Sequence, residues 1–216
     1  MVEKIIEEIA KRSPLTEKSV GEFARFQARG MTFSCFAYAA EGLGHVSVMT
    51  AKGFFGLMKM DTLVICPEQK DLPLFSYDRI YAMGNDTLIM ELYDTCVQPI
   101  TDVSKVETVK QKYARLPERV VKGVAKEYWY DDIRLPQSIA KKGKKKHNFD
   151  AFVEEYLQAY LQTDAPSCAR EEKVKKTAYY VEGLLSHGGA ATDVLKEELG
   201  EEKTATLLRS VLFGTV

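Results

Sequence analysis

Between residues 31 and 93, apolar segments of strand length follow one another with only short, glycine-bearing turns between them. Parallel neighbours need a crossover of a dozen or more residues, so a chain connected this tightly builds a largely antiparallel sheet. Residues 31–39 are dense in aromatic and small apolar side chains, as in a buried strand, and His45-Val46-Ser47-Val48 alternates as a half-exposed strand does. Segments 54–60 and 63–66 continue as strand material, with Gly42, Gly44 and Gly53 marking the turns. Asp71-Leu72-Pro73-Leu74-Phe75 then leads into a strand pair, 77–83 and 87–93, joined by Gly84-Asn85-Asp86, whose residues tolerate positive φ.

Helical periodicity flanks this centre. Val2, Ile5, Ile6 and Ile9 share one helix face, and Ser13-Pro14 ends that helix. Thr16 is placed to cap a second helix over 16–29, with Val20, Phe23, Ala24 and Phe26 inward and Gly30 as its stop. After Pro99 the composition turns to helix formers: 103–115 and 119–126 read as helices, and Tyr128-Trp129-Tyr130 forms an aromatic knot before Pro136. Segment 149–161 is strongly amphipathic through Phe152, Val153, Tyr156, Leu157 and Tyr160. Two or three further helices span 173–213, broken at Gly188-Gly189 and Gly200. Helices at both ends and an antiparallel sheet between them predict an α/β fold, a three-layer α/β/α sandwich forming a single domain over residues 1–216.

Composition narrows the function classes. With 30 basic and 31 acidic side chains the net charge is -1, which argues against a binder held on nucleic acid mainly by charge. No apolar run is long enough for a membrane span, and Met1-Val2-Glu3-Lys4 does not read as a secretion signal, so the expectation is a cytoplasmic chain. Cys35, Cys66, Cys96 and Cys168 are widely spaced and form no C-x-x-C pair; His45, His147 and His187 have no ligand spacing either. The pattern predicts neither a metal nor a disulfide, and buried free thiols at Cys35, Cys66 and Cys96.

Phosphate-binding glycine loops, a G-x-S-x-G elbow and an H-E-x-x-H helix are all missing. Two side chains remain as candidates. Asp78, in Phe75-Ser76-Tyr77-Asp78-Arg79-Ile80-Tyr81-Ala82, shares a strand face with Ile80 and Ala82, while Tyr77, Arg79 and Tyr81 take the other. Burial there would hold its carboxyl protonated and able to donate a proton near neutral pH. The alternatives are a solvated strand-end carboxylate, or one paired with a distant lysine. His187, before Gly188-Gly189-Ala190-Ala191-Thr192, would suit proton transfer if the break carried it into a cleft, and is otherwise a surface histidine favoured by the helix dipole. His45 and His147 are expected to be structural.

The stretch Leu72-Pro73-Leu74-Phe75-Ser76-Tyr77-Asp78, preceded by Cys66-Pro67-Glu68, resembles the central segment of the ferredoxin-dependent bilin reductases, in the pattern of their phycocyanobilin:ferredoxin oxidoreductase branch. The tail is similar as well: Val194-Leu195-Lys196-Glu197-Glu198-Leu199-Gly200-Glu201, then Val211-Leu212-Phe213. The resemblance covers about half of the chain. It implies an α/β/α sandwich, shared with red chlorophyll catabolite reductase, that holds an open-chain tetrapyrrole such as biliverdin between the sheet and the C-terminal helices. It also implies no bound flavin, nicotinamide or metal, with single electrons arriving from reduced ferredoxin or flavodoxin. Asp78 matches the family's catalytic aspartate and would protonate the reduced bilin.

The chain departs from the family pattern in three places. A catalytic histidine falls near Thr62, its partner glutamate near Thr50, and a second aspartate is replaced around Gly189. His187 would then take over proton donation. These losses admit an alternative, a tetrapyrrole-binding protein without catalysis. The run Lys141-Lys142-Gly143-Lys144-Lys145-Lys146 reads as a solvated, mobile loop or, given the resemblance, as the face that steers an acidic ferredoxin or flavodoxin.

Overall fold

The strand-dense centre folds into one antiparallel sheet. The computed structural model describes residues 1–99, 102–120, 127–144, 147–189 and 191–216. Its strands are β1 (Leu15–Lys18), β2 (Phe26–Ala28), β3 (Met31–Ala40), β4 (Gly44–Gly53), β5 (Met58–Pro67), β6 (Leu74–Ala82), β7 (Asn85–Tyr93) and β8 (Ile139–Lys144). Among the described residues the helices are α1 (Val2–Ala10), α2 (Ser104–Lys112), α3 (Asp150–Leu161), α4 (Arg170–His187), α5 (Thr192–Leu199) and α6 (Glu201–Thr206), the last running into a π-helical turn, Leu207–Leu212. Sheet order is β1-β3-β4-β5-β6-β7-β8, with β2 also on β3.

Segment 16–29 is not the expected helix. Leu15–Lys18 pairs with residues 37–40 of β3, and Phe26–Ala28 with residues 31–33, so two short strands share the outer edge of one long strand. A helix there would leave that edge's N–H and C=O groups without partners. The aromatic spacing that mimics a helix serves the sheet instead: Phe26 stacks on Phe33 at 5.0 Å and meets Phe23 edge-on at 5.8 Å.

β4 also departs from the half-exposed strand its alternation predicts, because residues 44–49 are all buried. The polar members of the alternation are used inside. His45 Nε2 lies 2.9 Å from the Val211 carbonyl, and Ser47 Oγ donates to the Leu212 carbonyl at 2.7 Å. A helix end leaves such carbonyls unpartnered, so β4 fastens the C-terminal turn to the sheet. Burial pushes the His45 imidazole down to about 4, which keeps it neutral.

The lysine run is not a loop over its described part. Residues 139–144 form the edge strand β8, paired with β7 from Met90↔Ile139 to Asn85↔Lys144; Lys145 and Lys146 lie outside the described residues. Lys141 is buried, with Nζ on the Leu116 carbonyl at 3.2 Å and on the Glu118 carboxylate. Lysines on an edge strand also discourage pairing with another chain. Of the segment expected as a helix over 119–126, Arg119 and Val120 are not helical and the remainder lies outside the described residues. The β6–β7 turn is Met83-Gly84, both at positive φ (49° and 72°), one residue earlier and one shorter than Gly84-Asn85-Asp86.

Alternation along the strands feeds two cores. Leu63, Ile65, Phe75, Tyr77, Leu88, Met90 and Leu92 pack with Val2, Ile5 and Ile9 of α1, Val106 of α2 and the apolar stripe of α3. Cys35, Met49, Val64, Cys66, Leu74 and Tyr93 pack with Tyr180, Val181 and Leu184 of α4, Leu195 of α5, and Leu207, Leu208, Val211 and Leu212. Each fully buried Leu, Ile or Phe contributes roughly 1.5–3 kcal/mol. Cys35, Cys66 and Cys96 are buried, Cys168 half-buried, and each sulfur is unbridged. No helix among the described residues is long and apolar enough to cross a membrane.

Candidate active site

β6 sends successive side chains to opposite faces of the sheet. Tyr77 and Arg79 enter the core with α3; Asp78 emerges on the face that α4, α5 and the C-terminal turn cover in part. Its cross-strand neighbours are Thr62 on β5 and Ile89 on β7. The next pairs along the same face are Met60↔Ile80 and Met58↔Ala82, and then Ile80↔Thr87 on the other side. Under the C-terminal helices this face is sealed, with Cys35, Met49, Val64, Cys66 and Leu74 all buried. Around Asp78 it stays open, and Met58, Met60, Thr62, Ile80 and Ile89 are each half-buried. Asp78 therefore stands among half-buried, mostly apolar neighbours on this face.

The carboxyl is also poorly compensated. Oδ1 accepts a hydrogen bond from Thr62 Oγ1 at 2.5 Å, and among the described residues no lysine, arginine or histidine forms an ion pair with it. Burial pushes the Asp78 pKa up to about 6; the Thr62 hydroxyl opposes that rise and the charge on Glu91 adds to it. Near neutral pH this group holds a proton for an appreciable part of the time, as a general acid must.

Glu91 shares the Asp78 face, opposite Ser76. Its carboxylate accepts from Arg134 Nη1 at 3.2 Å and from the Tyr93 hydroxyl at 2.8 Å. Tyr93 packs at 4.8 Å from Tyr180 and edge-on to Tyr130 at 5.7 Å. Burial raises the Tyr180 hydroxyl pKa well above its ordinary value; a hydrogen bond with Tyr93 opposes the rise, and the charges on Glu91, Tyr130 and Asp78 add to it. Trp129 joins this aromatic cluster 5.8 Å from Tyr180, resting on Gly183, where a Cβ would come within 2.2 Å of the indole. The sequence reading missed Glu91, Tyr93, Tyr180 and Arg134.

The other sequence candidates are distributed around this face. His187 is the last residue of α4, exposed, its ring 6.0 Å from Trp129; no hydrogen bond among the described residues joins it to Asp78. Gly188 and Gly189 form the break expected there, and the Asp193 carboxylate accepts the Gly189 N–H at 3.2 Å; Ala190 lies outside the described residues. Thr62 is beside Asp78, but Thr50 projects to the opposite face, so Met49 and Ala51 take its place on this side. Lys142 and Lys144 of β8 are exposed and share the Asp78 face, whereas Lys141 points the other way. His147 is structural, with Nδ1 accepting the Lys144 N–H at 2.9 Å.

Elsewhere, Lys173 is the buried lysine that pairs with an aspartate. It takes Asp71 (3.2 Å), not Asp78, and also donates to the Leu72 and Thr95 carbonyls. Burial favours protonation of Asp71, yet the Gln98 and Val97 N–H groups and Lys173 together hold it below the usual carboxylate range. Two cavities of about 340 and 320 Å³ lie around α2, α3 and β8, and neither is lined by Asp78. Among the described residues no three potential metal ligands come together.

The architecture defines a mixed α/β protein whose antiparallel sheet carries an acidic side chain on a helix-bordered face. No family model matches the sequence, and no curated protein matches it either. Among solved structures it is similar to phytochromobilin synthase from tomato, determined in complex with biliverdin. The TM-score is 0.77 at 15% identity, over 100% of this chain and 82% of that one. At that identity the likeness establishes the fold.

Proposed function

We propose that this chain is a cytoplasmic oxidoreductase that reduces an open-chain tetrapyrrole with single electrons from reduced ferredoxin or flavodoxin, and that Asp78 donates a proton to the substrate. Saturating one double bond takes two electrons and two protons. Each added electron makes the conjugated pigment a stronger base, which has to be neutralised away from bulk water. The observation that carries this reading is a carboxyl held by one hydroxyl among half-buried, mostly apolar neighbours, its pKa raised to about 6 by burial. The same fold in a protein that holds biliverdin gives it support. In this reading α1–α3 and α4–α6 are the outer layers of an α/β/α sandwich, and the pigment lies between the sheet and the C-terminal helices. His187, exposed at the end of α4, is the proposed source of the second proton. Among the described residues of the basic run, Lys142 and Lys144 are exposed and are placed to steer an acidic donor.

A second reading is favoured by Thr62. The resemblance puts a histidine near this position, and a threonine cannot supply a proton at neutral pH. The chain would then bind the pigment without reducing it. One experiment separates the two readings: anaerobic mixing with biliverdin, then with reduced ferredoxin or flavodoxin, followed by visible absorbance and product identification. Both readings give a bound-pigment spectrum; only the enzyme bleaches or shifts it on reduction. Asp78→Asn should bind normally and slow the reduction by about 10²–10⁴-fold, the usual contribution of general acid catalysis. Reduction at the wild-type rate would refute the role given to Asp78, and His187→Gln tests the second donor in the same assay.

A further inference from the structure

At one end of the sheet four large apolar side chains face solvent. β4 and β5 are joined by Phe54-Phe55-Gly56-Leu57, and β6 and β7 by Met83-Gly84. Gly53 pairs with Met58, and Met58 with Ala82, so the two tips stand side by side. Phe54 is 55% exposed, Leu57 69%, Met83 88%, and Phe55 entirely. Phe54, Phe55 and Met83 also have φ of 51°, 54° and 49°. That left-handed region suits glycine and strains bulky residues. The chain thus holds apolar side chains in an unfavourable backbone conformation and buries none of them, which folding does not explain.

Exposed lysines flank both tips. Lys52 and Lys59 face each other across the strand pair one residue behind the first tip, both exposed. Like charges directly opposite are destabilising. Neither has an ion-pair partner among the described residues; Asp61, half-buried on β5, has its carboxyl pushed up by burial, and the Lys52 charge is among those that oppose the rise. Lys144, exposed, reaches Asn85 beside the second tip at 2.8 Å. Arg29, at the neighbouring β2–β3 tip, is already taken by Glu197 and Glu198.

We infer that this end of the sheet docks on an anionic lipid surface. Phe54, Phe55, Leu57 and Met83 enter the boundary between headgroups and acyl chains, while Lys52, Lys59 and Lys144 meet the lipid phosphates. A second copy of the chain, meeting this end tip to tip, would bring Lys52 and Lys59 against their equivalents. An acidic protein would satisfy the lysines but would need a pocket shaped to four protruding side chains, which a bilayer accepts without one. The inference does not rest on the function proposed above.

Flotation of the full chain with vesicles tests it, using phosphatidylcholine alone and phosphatidylcholine containing about a third phosphatidylglycerol. The chain should float with the anionic vesicles at low salt and less at high salt. Phe55→Ser/Leu57→Ser should weaken that binding about tenfold or more, and Lys52→Gln/Lys59→Gln should weaken it chiefly at low salt. All four residues are exposed, so the melting temperatures of the variants should not fall below the wild type. Failure of the wild type to float with anionic vesicles at low salt overturns the inference, as does equal flotation of Phe55→Ser/Leu57→Ser. A dimer dissolved by that same variant would assign the surface to a second copy and overturn it too.

Discussion

Asp78 and Arg79 are neighbours in sequence and opposites in environment. Arg79 enters the sealed face of the sheet, where Nε and Nη2 grip both oxygens of Asp86 at 3.0 and 2.8 Å and Nη1 reaches Asp150 at 2.5 Å. Asp78 enters the open face, where it has one hydroxyl and no counter-cation among the described residues. One charge is fully answered and the other is left nearly alone. A buried charge answered on several sides holds a fold in register; a carboxyl left short of partners has its protonation set by its surroundings and is free to change. The contrast teaches that the two faces of this sheet have different tasks, and it can be attacked from either side.

The strongest blow falls on the sealed side. Arg79→Met keeps most of the side-chain volume but leaves Asp86 buried and unpaired, which should cost about 3–5 kcal/mol in urea unfolding. A loss under about 1 kcal/mol would place this ion pair among weak surface pairs and erase the contrast.

On the open side the sign reverses. The Asp78 pKa is raised in the folded chain from an ordinary value near 3.8 to about 6, so the folded state binds its proton more tightly. The stability this adds is fully present below pH ~4 and is lost as pH rises through about 6. Asp78→Asn removes a group that is costly to ionise. It should therefore stabilise the chain at pH 7–8 by about 1–3 kcal/mol, with the difference closing below pH ~4. His45 runs in the opposite sense: its depressed pKa of about 4 makes the fold lose stability as pH falls from ~6.5 towards 4. Comparing Asp78→Asn with wild type at each pH cancels that contribution. A variant less stable than wild type at pH 8 would mean that the carboxylate is stabilising.

A finer measurement is Thr62→Val. The lost hydroxyl removes the bond that favours the charged carboxyl, so the Asp78 pKa should climb above about 6, read by carboxyl-carbon NMR. No movement would take Thr62 out of the site. The smallest expected effect is on β8. Lys142→Ala/Lys144→Ala should leave stability within about 0.5 kcal/mol. If the pair steers an acidic donor, the change should flatten the salt dependence of electron transfer and leave pigment binding alone.

Much of the site was readable because strand alternation is a local property. Asp78 on one face and Arg79 on the other follow from a period of two, whatever the rest of the fold does. Glu91 was not readable, for a reason lodged in the β6–β7 turn. A three-residue Gly84-Asn85-Asp86 connection would set Met83 against Thr87 and, counting back, Asp78 against Leu92. The actual two-residue Met83-Gly84 turn sets Asp78 against Ile89 and Ser76 against Glu91. One residue in a loop exchanges the faces of a whole strand, so the register implied by that turn puts the wrong set of β7 side chains beside the carboxyl. The helix expected over 16–29 and the mobile loop expected over 141–146 failed in a related way, the latter over its described part, 141–144. Each lies where the edge of a long strand needed partners, a demand made by residues far away in sequence.

The sequence by itself determined that the centre of the chain is strand-rich and antiparallel, though it extended a strand over 54–57, where the structure has the β4–β5 connection. It also determined that α1 and α3 bury the stripes they bury, and that a carboxyl and a guanidinium part company along β6. These follow from side-chain periodicity and turn length, which act over a few residues. Only the tertiary structure decided that Lys173 belongs to Asp71 and not to Asp78, that His45 and Ser47 hold the C-terminal turn, and that the covering helices stop short of Asp78. Those outcomes depend on which distant groups arrive within a few ångströms of one another, and on how much water they leave behind.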